Sequence, residues 1–443
     1  MPKLFNKLKS FKGGVHPHEY KHLTEHVPFE KLPTPSKIIL PLSQHIGAPS
    51  TVIVQKNDEV AAGQLVAEQN GAISVPIYSP VSGKVKSIRN EDTVSSFSGE
   101  SITIQCNENS EIDNLPPLDI DNISDSEIRD RVKLAGIVGQ GGAAFPTYFK
   151  LTPPKDKNID WVILNGCECE PYLTRDYRMM IERPKDLLEG LKLIMKALGV
   201  GKGAVGIEDN KIDAIKTLSD LVKDDDTIEI ITLKTKYPQG AEKMLIKAVT
   251  NREVPPGKLP LDVGVVVQNI GTALSIFDAI KFGTPSTHSA LTVSGAGIKE
   301  PKNIIAPIGT PIKDILDYCG GITDDAKRVV VGGPMMGVTQ HNLDAPIVKA
   351  TSGILVLTEK EINQFDETNC LRCGKCIDVC PLNLTPTKLA RLSELERFED
   401  AEEIGIFTCM ECGTCSYTCP ANIPLVQWIV LGKRKITQIK KAG

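Results

Sequence analysis

Two hydrophobic periods alternate along this chain, and their order predicts its layout. In "SDSEIRDRVKLAGI" a serine and early acids precede Ile128, Val132 and Ile137 at helical spacing, which predicts a capped amphipathic helix. The compact apolar run "WVILNG" predicts a strand, "PKDLLEGLKLIMKALGV" a helix and "GAVGIED" a second strand. This alternation predicts an α/β domain with a mostly parallel sheet over 116–285. Before it, residues 35–110 string short β-rich runs between glycine turns, as in "STVIVQKNDEVAAGQLVAE" and "SVPIYSPVSGKVKSI". After it, 290–357 reads strand, turn, short helix, strand. Near the end, "TPTKLARLSELERFEDAEEIGI" sets Leu389, Leu392, Leu395 and Phe398 on one helical face. The expected divisions are 1–115, 116–285, 286–358 and 359–443.

Composition changes this picture little. The 443 residues are 41% hydrophobic and 24% charged, as in soluble globular proteins, and a formal net charge of -4 gives no global pull toward nucleic acid or anionic lipid. No run supplies the roughly 20 apolar residues of a membrane span, and the start lacks the apolar core of a secretory signal. A cytoplasmic chain is expected, unless partners recruit it to a membrane. The ends are locally basic: Lys3, Lys7, Lys9 and Lys12 at the start, and Lys433, Arg434, Lys435, Lys440 and Lys441 at the finish, have no acid among them. Such runs are either solvated ends or contacts to a membrane surface or acidic partner.

Eight of the twelve cysteines change the picture most. "CLRCGKCIDVCP" and "CMECGTCSYTCP" are two copies of C-x2-C-x2-C-x3-C-P, an internal repeat. Three thiolates two residues apart share one tight loop and can cap three irons of a cubane, while the fourth is carried off to ligate the other cluster. One [4Fe–4S] cluster would therefore take Cys370, Cys373, Cys376 and Cys419, and the other Cys409, Cys412, Cys415 and Cys380. Gly374 and Gly413 allow the backbone close to the sulfides. Structural zinc prefers separated C-x2-C pairs, and a disulfide framework suits small secreted domains. Such a module moves single electrons.

The second chemical signal is "VGQGGAAFP". Its G-x-G-x-x-A spacing fits a dinucleotide fingerprint, but a helix rather than a strand precedes it and Pro146 would cut short a helix starting at Gly141. The local chemistry still suits phosphate. Gly139, Gly141 and Gly142 permit positive φ, successive N–H groups form an anion nest, Lys150 follows within reach, and Phe145 offers a face to a flat ring.

"GIVGQGGAAFPTYFK" followed by "NGCECEP" resembles the flavin loop of the NADH-oxidising, FMN-binding subunit of respiratory complex I. "PQGAEKMLI" and "VVQNIGTA" resemble two further segments of that family more loosely. Joined to a two-cluster ferredoxin and opening with "FKGGVHPHEYK", nearly the whole chain is similar to the RnfC family of the Rnf membrane complexes. The resemblance implies a multidomain α/β + β fold: a barrel-sandwich-hybrid-like N-terminal domain, an α/β flavin-binding domain, a β-grasp (SLBB) domain and a C-terminal two-cluster ferredoxin-like helical domain. It implies that Gly139, Gly141, Gly142 and Ala143 cradle non-covalent FMN, with Lys150 and Asn165 on the flavin or its phosphate. Phe145 would stack on the nicotinamide or adenine, Glu170 and Glu242 would hydrogen-bond NADH, and Gln268, Asn269 and Thr272 would close the phosphate side. Glu168 and Gly240 complete the set. Where the family has Asp and Ser around its first Glu, this chain has Cys167 and Cys169; the first Glu of the family's later pair is Ala241, and a second aromatic after the Lys is Pro153.

The resemblance also implies hydride exchange between NAD(H) and FMN, then single-electron transfer through the clusters. The partners would be a membrane core, a ferredoxin-interacting subunit and, indirectly, ferredoxin, with the chain peripheral at the cytoplasmic face of the membrane and the complex moving an ion. Hydride transfer belongs to the flavin, so no catalytic side chain is expected. Two alternatives stand beside this: a non-catalytic iron–sulfur relay, and the flavin subunit of a soluble NAD-dependent hydrogenase or formate dehydrogenase. Cys167 and Cys169 read as packed thiols rather than a strained C-x-C disulfide, and Cys106 and Cys319 as structural. His16 and His18 read as turn residues or a metal site, Met335 and Met336 as packing, and Lys84 as part of a structural barrel rather than a prosthetic arm.

Overall fold

A computed structural model describes residues 8–94, 98–107, 113–362 and 365–442. Lys3 and Lys7 lie outside the described residues. The strands of 37–106 form two small antiparallel sheets that close over Ile38, Leu40, Val66, Ile102 and Ile104. Lys84 lies within the strand Gly83–Glu91, opposite Glu59 and Gln105, so it is held in the ladder.

The next domain is built on a parallel sheet in the order Ile228–Leu233, Gly203–Glu208, Trp161–Gly166, Val265–Asn269. Its helices are α1 (Asp125–Leu134), α2 (Thr147–Lys150), α3 (Arg175–Glu182), α4 (Pro184–Leu198), α5 (Ile212–Leu221), α6 (Glu242–Thr250) and α7 (Ile270–Lys281). Ser124 caps α1 reciprocally with Glu127, and Gly136 at φ 67 ends it, so the buried Ile137 follows the helix rather than belonging to it.

Helix α7 starts directly after the strand Val265–Asn269, and α3 follows the loop after Trp161–Gly166. Both helices therefore begin at the carboxyl edge of a parallel sheet, where open α/β folds form ligand crevices.

The following domain is a six-stranded sheet carrying the helix Ile312–Tyr318. One edge strand, Phe29–Lys31, comes from the chain start and pairs parallel with Lys302–Pro307. The opening segment is thus a strap. Lys9 bridges Leu233, Val15 bridges Tyr237, and Gly14 N–H donates to Val379 O at 2.8 Å in the cysteine-rich domain.

In that last domain the segment between the cysteine repeats forms two helices, Pro386–Glu394 and Phe398–Glu403, rather than one. Glu396 takes φ 56 at the break and turns Leu395 out to solvent, whereas Leu389 and Leu392 are buried. The basic finish is the end of the helix Leu425–Ala442, which buries Leu425, Ile429 and Ile436. Among the described residues no helix is long and apolar enough to cross a membrane.

Candidate functional site

The glycine loop is pinned at both ends. Val138 and Pro146 form a bridge, Gly139 N–H donates to Phe145 O at 2.8 Å, and Thr147 N–H donates to Ile137 O at 3.0 Å. Its middle is tied to the first turn of α7, where Gln140 N–H donates to Thr272 Oγ1 at 2.9 Å. Gly141 has φ 71, and a Cβ there would sit 2.9 Å from Asn269 Nδ2, so glycine is required by conformation and by space. Gly142 and Ala143 are exposed at the mouth, and nothing lies within 4 Å of a Cβ at Gly142. Phe145 stands edge-on to Phe149, with ring centroids 5.6 Å apart.

Asn269 caps α7, its Oδ1 accepting from Gly271 N–H at 2.8 Å. The loop therefore faces the positive end of a 12-residue helix, an arrangement that attracts phosphate. Gln268 and Thr272 are buried beside it, and Gln268 Nε2 has no hydrogen-bond partner.

Lys150 and Glu242, read separately from the sequence, form one ion pair at 2.8 Å, and Lys150 Nζ also donates to Val267 O at 3.2 Å. Asn165 ends the strand Trp161–Gly166, donates to Gly240 O at 2.7 Å and accepts from Cys167 N–H. Gly240 is a close approach: its N–H donates to Cys169 Sγ at 3.3 Å, and a Cβ would meet Cys167, Cys169 and Asn165. Burial raises both thiols, Cys167 and Cys169, above the usual range, which keeps them protonated and inert.

The two acids of "CECE" both accept hydrogen bonds from backbone amides. Glu168 Oε1 and Oε2 accept from Asp176 N–H at 2.6 Å and Tyr177 N–H at 3.2 Å, so its carboxylate caps the start of α3. Glu170 accepts from the amides of Met335 and Met336, both at 3.0 Å, and thereby clamps the "GGPMMG" turn of the six-stranded domain. Desolvation pushes the Glu170 carboxyl up to about 7 against the pull of those two amides.

Two basic residues around this loop carried no signal in the sequence. Lys21, on the strap, donates to the carbonyls of Glu168, Glu170 and Leu173 at 2.8, 3.1 and 2.6 Å, holding the acidic loop in shape. Arg175 is fully buried at the start of α3. Its Nε and Nη2 donate to Asp176 Oδ1, and Nη2 also donates to Asn269 Oδ1 at 3.0 Å.

Burial raises the thiols of Cys376, Cys409, Cys412 and Cys415; smaller electrostatic contributions reach Cys376 from Cys419 and Cys370, and the other three from Cys380, neighbours that the crossed sets would bring together. Among the described residues no three side chains converge tightly enough for a single ion, and a cubane, which keeps its ligands a cluster's width apart, does not require it. His16 and His18 are both exposed on the strap.

The second cysteine loop meets the flavin-type domain through a small apolar cluster of Val15, Tyr237 and Cys412, flanked by Cys169, Met335, Val379 and Met410. Strap residues Gly13 and Gly14 fit here because a Cβ would strike Val379 O and Tyr237 O respectively, and both have positive φ. Lys236 fixes the same strap by donating to Phe11 O and Gly13 O at 2.6 and 2.7 Å.

Comparison with known families follows the same order along the chain. Residues 9–109 match an RnfC barrel sandwich hybrid domain, 132–278 a Nuo51 FMN-binding domain, 291–339 an SLBB domain and 362–420 a 4Fe-4S dicluster domain. The chain is 47% identical to the RnfC component of the proton-translocating ferredoxin:NAD(+) oxidoreductase complex of Clostridium ljungdahlii, over 89% of this chain and 87% of that protein. It is 45% identical to the corresponding component of the Na(+)-translocating ferredoxin:NAD(+) oxidoreductase complex of Acetobacterium woodii, over 99% of each. To that of the ion-translocating oxidoreductase complex of Rhodobacter capsulatus it is 42% identical, over 98% of this chain and 85% of that one.

Proposed function

The chain belongs to the RnfC family of ion-translocating ferredoxin:NAD(+) oxidoreductase complexes, and on that premise we propose that it exchanges electrons between NAD(H) and a bound FMN and relays them through two [4Fe–4S] clusters. It carries an FMN-binding domain and a dicluster domain in one chain. FMN, when bound, supplies the conversion between a two-electron hydride and the single electrons that iron–sulfur clusters accept.

The chain's own residues fit that group. Gly142 leaves open a space, with nothing within 4 Å of a Cβ there, and the loop lies against the first turn of α7, whose positive end favours a phosphate. Asn165 and Gly240 line the inner wall, and the Lys150–Glu242 pair lies at the start of α6. Phe145 is the aromatic at the mouth on which a nucleotide ring can stack. Glu168 and Glu170 act by shaping the loop, because their oxygens are engaged by amides.

The observation that carries this reading is the packing of Cys412 onto Tyr237, whose chain continues directly into Gly240 of the flavin wall. It supports the order NAD(H), FMN, second cluster, first cluster, partner. The partners would be a membrane core and a ferredoxin-interacting subunit, with this chain peripheral on the cytoplasmic face. The basic finish is taken up in part by the fold: Lys433 donates to Cys409 O at 2.7 Å and Lys440 to Glu402.

Anaerobic purification of the full chain should give FMN, iron and sulfide together, and NADH should bleach the flavin and then reduce the clusters. A flavin that stays oxidised under NADH while the clusters accept electrons from a chemical reductant overturns the catalytic reading in favour of the relay. The engagement of Glu170 by Met335 and Met336 is the one feature that favours that second reading.

A further inference from the structure

We propose that Arg175 is the cationic anchor of the flavin phosphate. The inference rests on the FMN reading above and adds a residue that the glycine loop and the Gln268–Thr272 turn do not supply. The arginine is 1% exposed, and its Nη1 is buried without a hydrogen-bond partner. A buried charged donor left unpaired carries an uncompensated desolvation cost, so a guanidinium serving only to hold Asp176 has no reason to keep one.

The orientation is set from the other side. Nε and Nη2 both donate to Asp176 Oδ1, and Asp176 Oδ2 accepts from Asn269 Nδ2 at 2.6 Å. That fixes the plane of the fork and leaves the Nη1 edge over. Nη2 also reaches Asn269 Oδ1, the cap of α7, and lies 3.7 Å from where a Cβ at Gly141 would be. The guanidinium, the α7 terminus and the glycine nest therefore converge at one place. Lys150, the cation suggested by the sequence, is taken up by Glu242 and Val267 O. The matching ligand chemistry is a phosphate monoester dianion, to which the remaining Nη1 can donate a charge-assisted hydrogen bond.

The test compares FMN with riboflavin, which lacks the phosphate. Full-length chain with its clusters loaded is stripped of flavin anaerobically, and each flavin is titrated by fluorescence quenching. The wild type should prefer FMN. Arg175→Gln should lower FMN affinity by about 30-fold or more, the size of a lost charge-assisted contact, with riboflavin affinity unchanged. Arg175→Lys should recover part of the preference. An R175Q protein that keeps the wild-type preference overturns the proposal. If R175Q loses riboflavin too, R175K decides, since an unaltered FMN-to-riboflavin ratio in it overturns the proposal equally. A wild type that binds neither flavin instead overturns the FMN reading itself.

A second inference stands on a different observation. Tyr237 is 1% exposed and its hydroxyl is buried without a partner, packed with Cys412 and Cys169. We infer that this hydroxyl donates to a sulfur of the second cluster, and hydrogen bonds to cluster sulfurs raise reduction potential. Tyr237→Phe should lower the potential of that cluster in an EPR-monitored titration and leave the first cluster and FMN affinity unmoved. An unchanged second-cluster potential, or a change confined to the flavin, overturns it.

Discussion

The two cysteine loops share one local geometry and differ in almost everything around it. Gly374 and Gly413 open their short helices at φ 75 and 79, Arg372 and Glu411 both take positive φ, and the amide of each donates to the first cysteine of its loop. Yet Cys370 and Cys373 are exposed, whereas their counterparts Cys409 and Cys412 are half-buried and buried; the third cysteine, Cys376 or Cys415, is buried in both loops. A Cβ at Gly374 would meet open space, and one at Gly413 would sit 3.0 Å from Met335 O. The motif dictates how a loop wraps a cluster, and its surroundings dictate whether electrons arrive there or leave. The buried loop lies against the flavin-type domain and the exposed one presents its ligands outward, with Leu371 and Ile377 beside them.

Removing one ligand from each set breaks the comparison most forcefully. Cys373→Ser should cut iron from about eight to about four per chain while NADH still reduces the remaining cluster. Cys412→Ser should remove the same amount of iron but also stop electrons from NADH at the flavin, because the cluster nearest it is gone. Iron assay and EPR after NADH addition check both. Equal behaviour of the two variants would mean that the loops are not arranged in series.

This asymmetry shows what was legible in the sequence. Both cluster motifs and the flavin loop announce themselves by spacing, because ligand geometry and backbone approach constrain residues that are neighbours in the chain. The helix α1, with its Ser124 box, and the strand Trp161–Gly166 were legible for the same reason. What escaped was non-local. Phe29–Lys31 joins a sheet whose partner strand begins at Lys302, and Lys21 finds its three carbonyls about 150 residues away. The pairing of Lys150 with Glu242, the clamp of Glu170 on Met335 and Met336, and the exposure of Leu395 depend likewise on tertiary placement that periodicity does not carry.

The glycines give the next largest difference. Alanine at either position must adopt a left-handed conformation, at a cost of about 1–2 kcal/mol. At Gly413 it must also displace Met335 O, adding about 1 kcal/mol of overpacking. Gly413→Ala should therefore lower the thermal midpoint of the holoprotein more than Gly374→Ala, and equal shifts would show that the wall at Met335 yields freely. Lys433 adds a smaller support that sharpens the contrast. It joins Cys409 O to Glu411 at 2.7 and 2.6 Å, so Lys433→Met should cost about 1 kcal/mol and speed loss of the second cluster to a chelator, without altering the first.

The smallest effect concerns pH. Glu170 holds the turn that walls the buried loop, and burial raises its carboxyl from the usual range to about 7. Between about 4.5 and 7 the folded chain thus keeps a proton that the unfolded chain has released, so this group's contribution to stability falls as pH rises through that window. Glu170→Gln removes that slope, loses one of the two amide acceptors and, by relieving a desolvated charge, should change stability near neutral pH by less than about 1 kcal/mol. Chemical denaturation of both proteins at pH 5 and pH 7.5 reads the difference directly. A variant that retains the wild-type pH slope would place the titration elsewhere and leave the wall at Met335 independent of the flavin loop's acid.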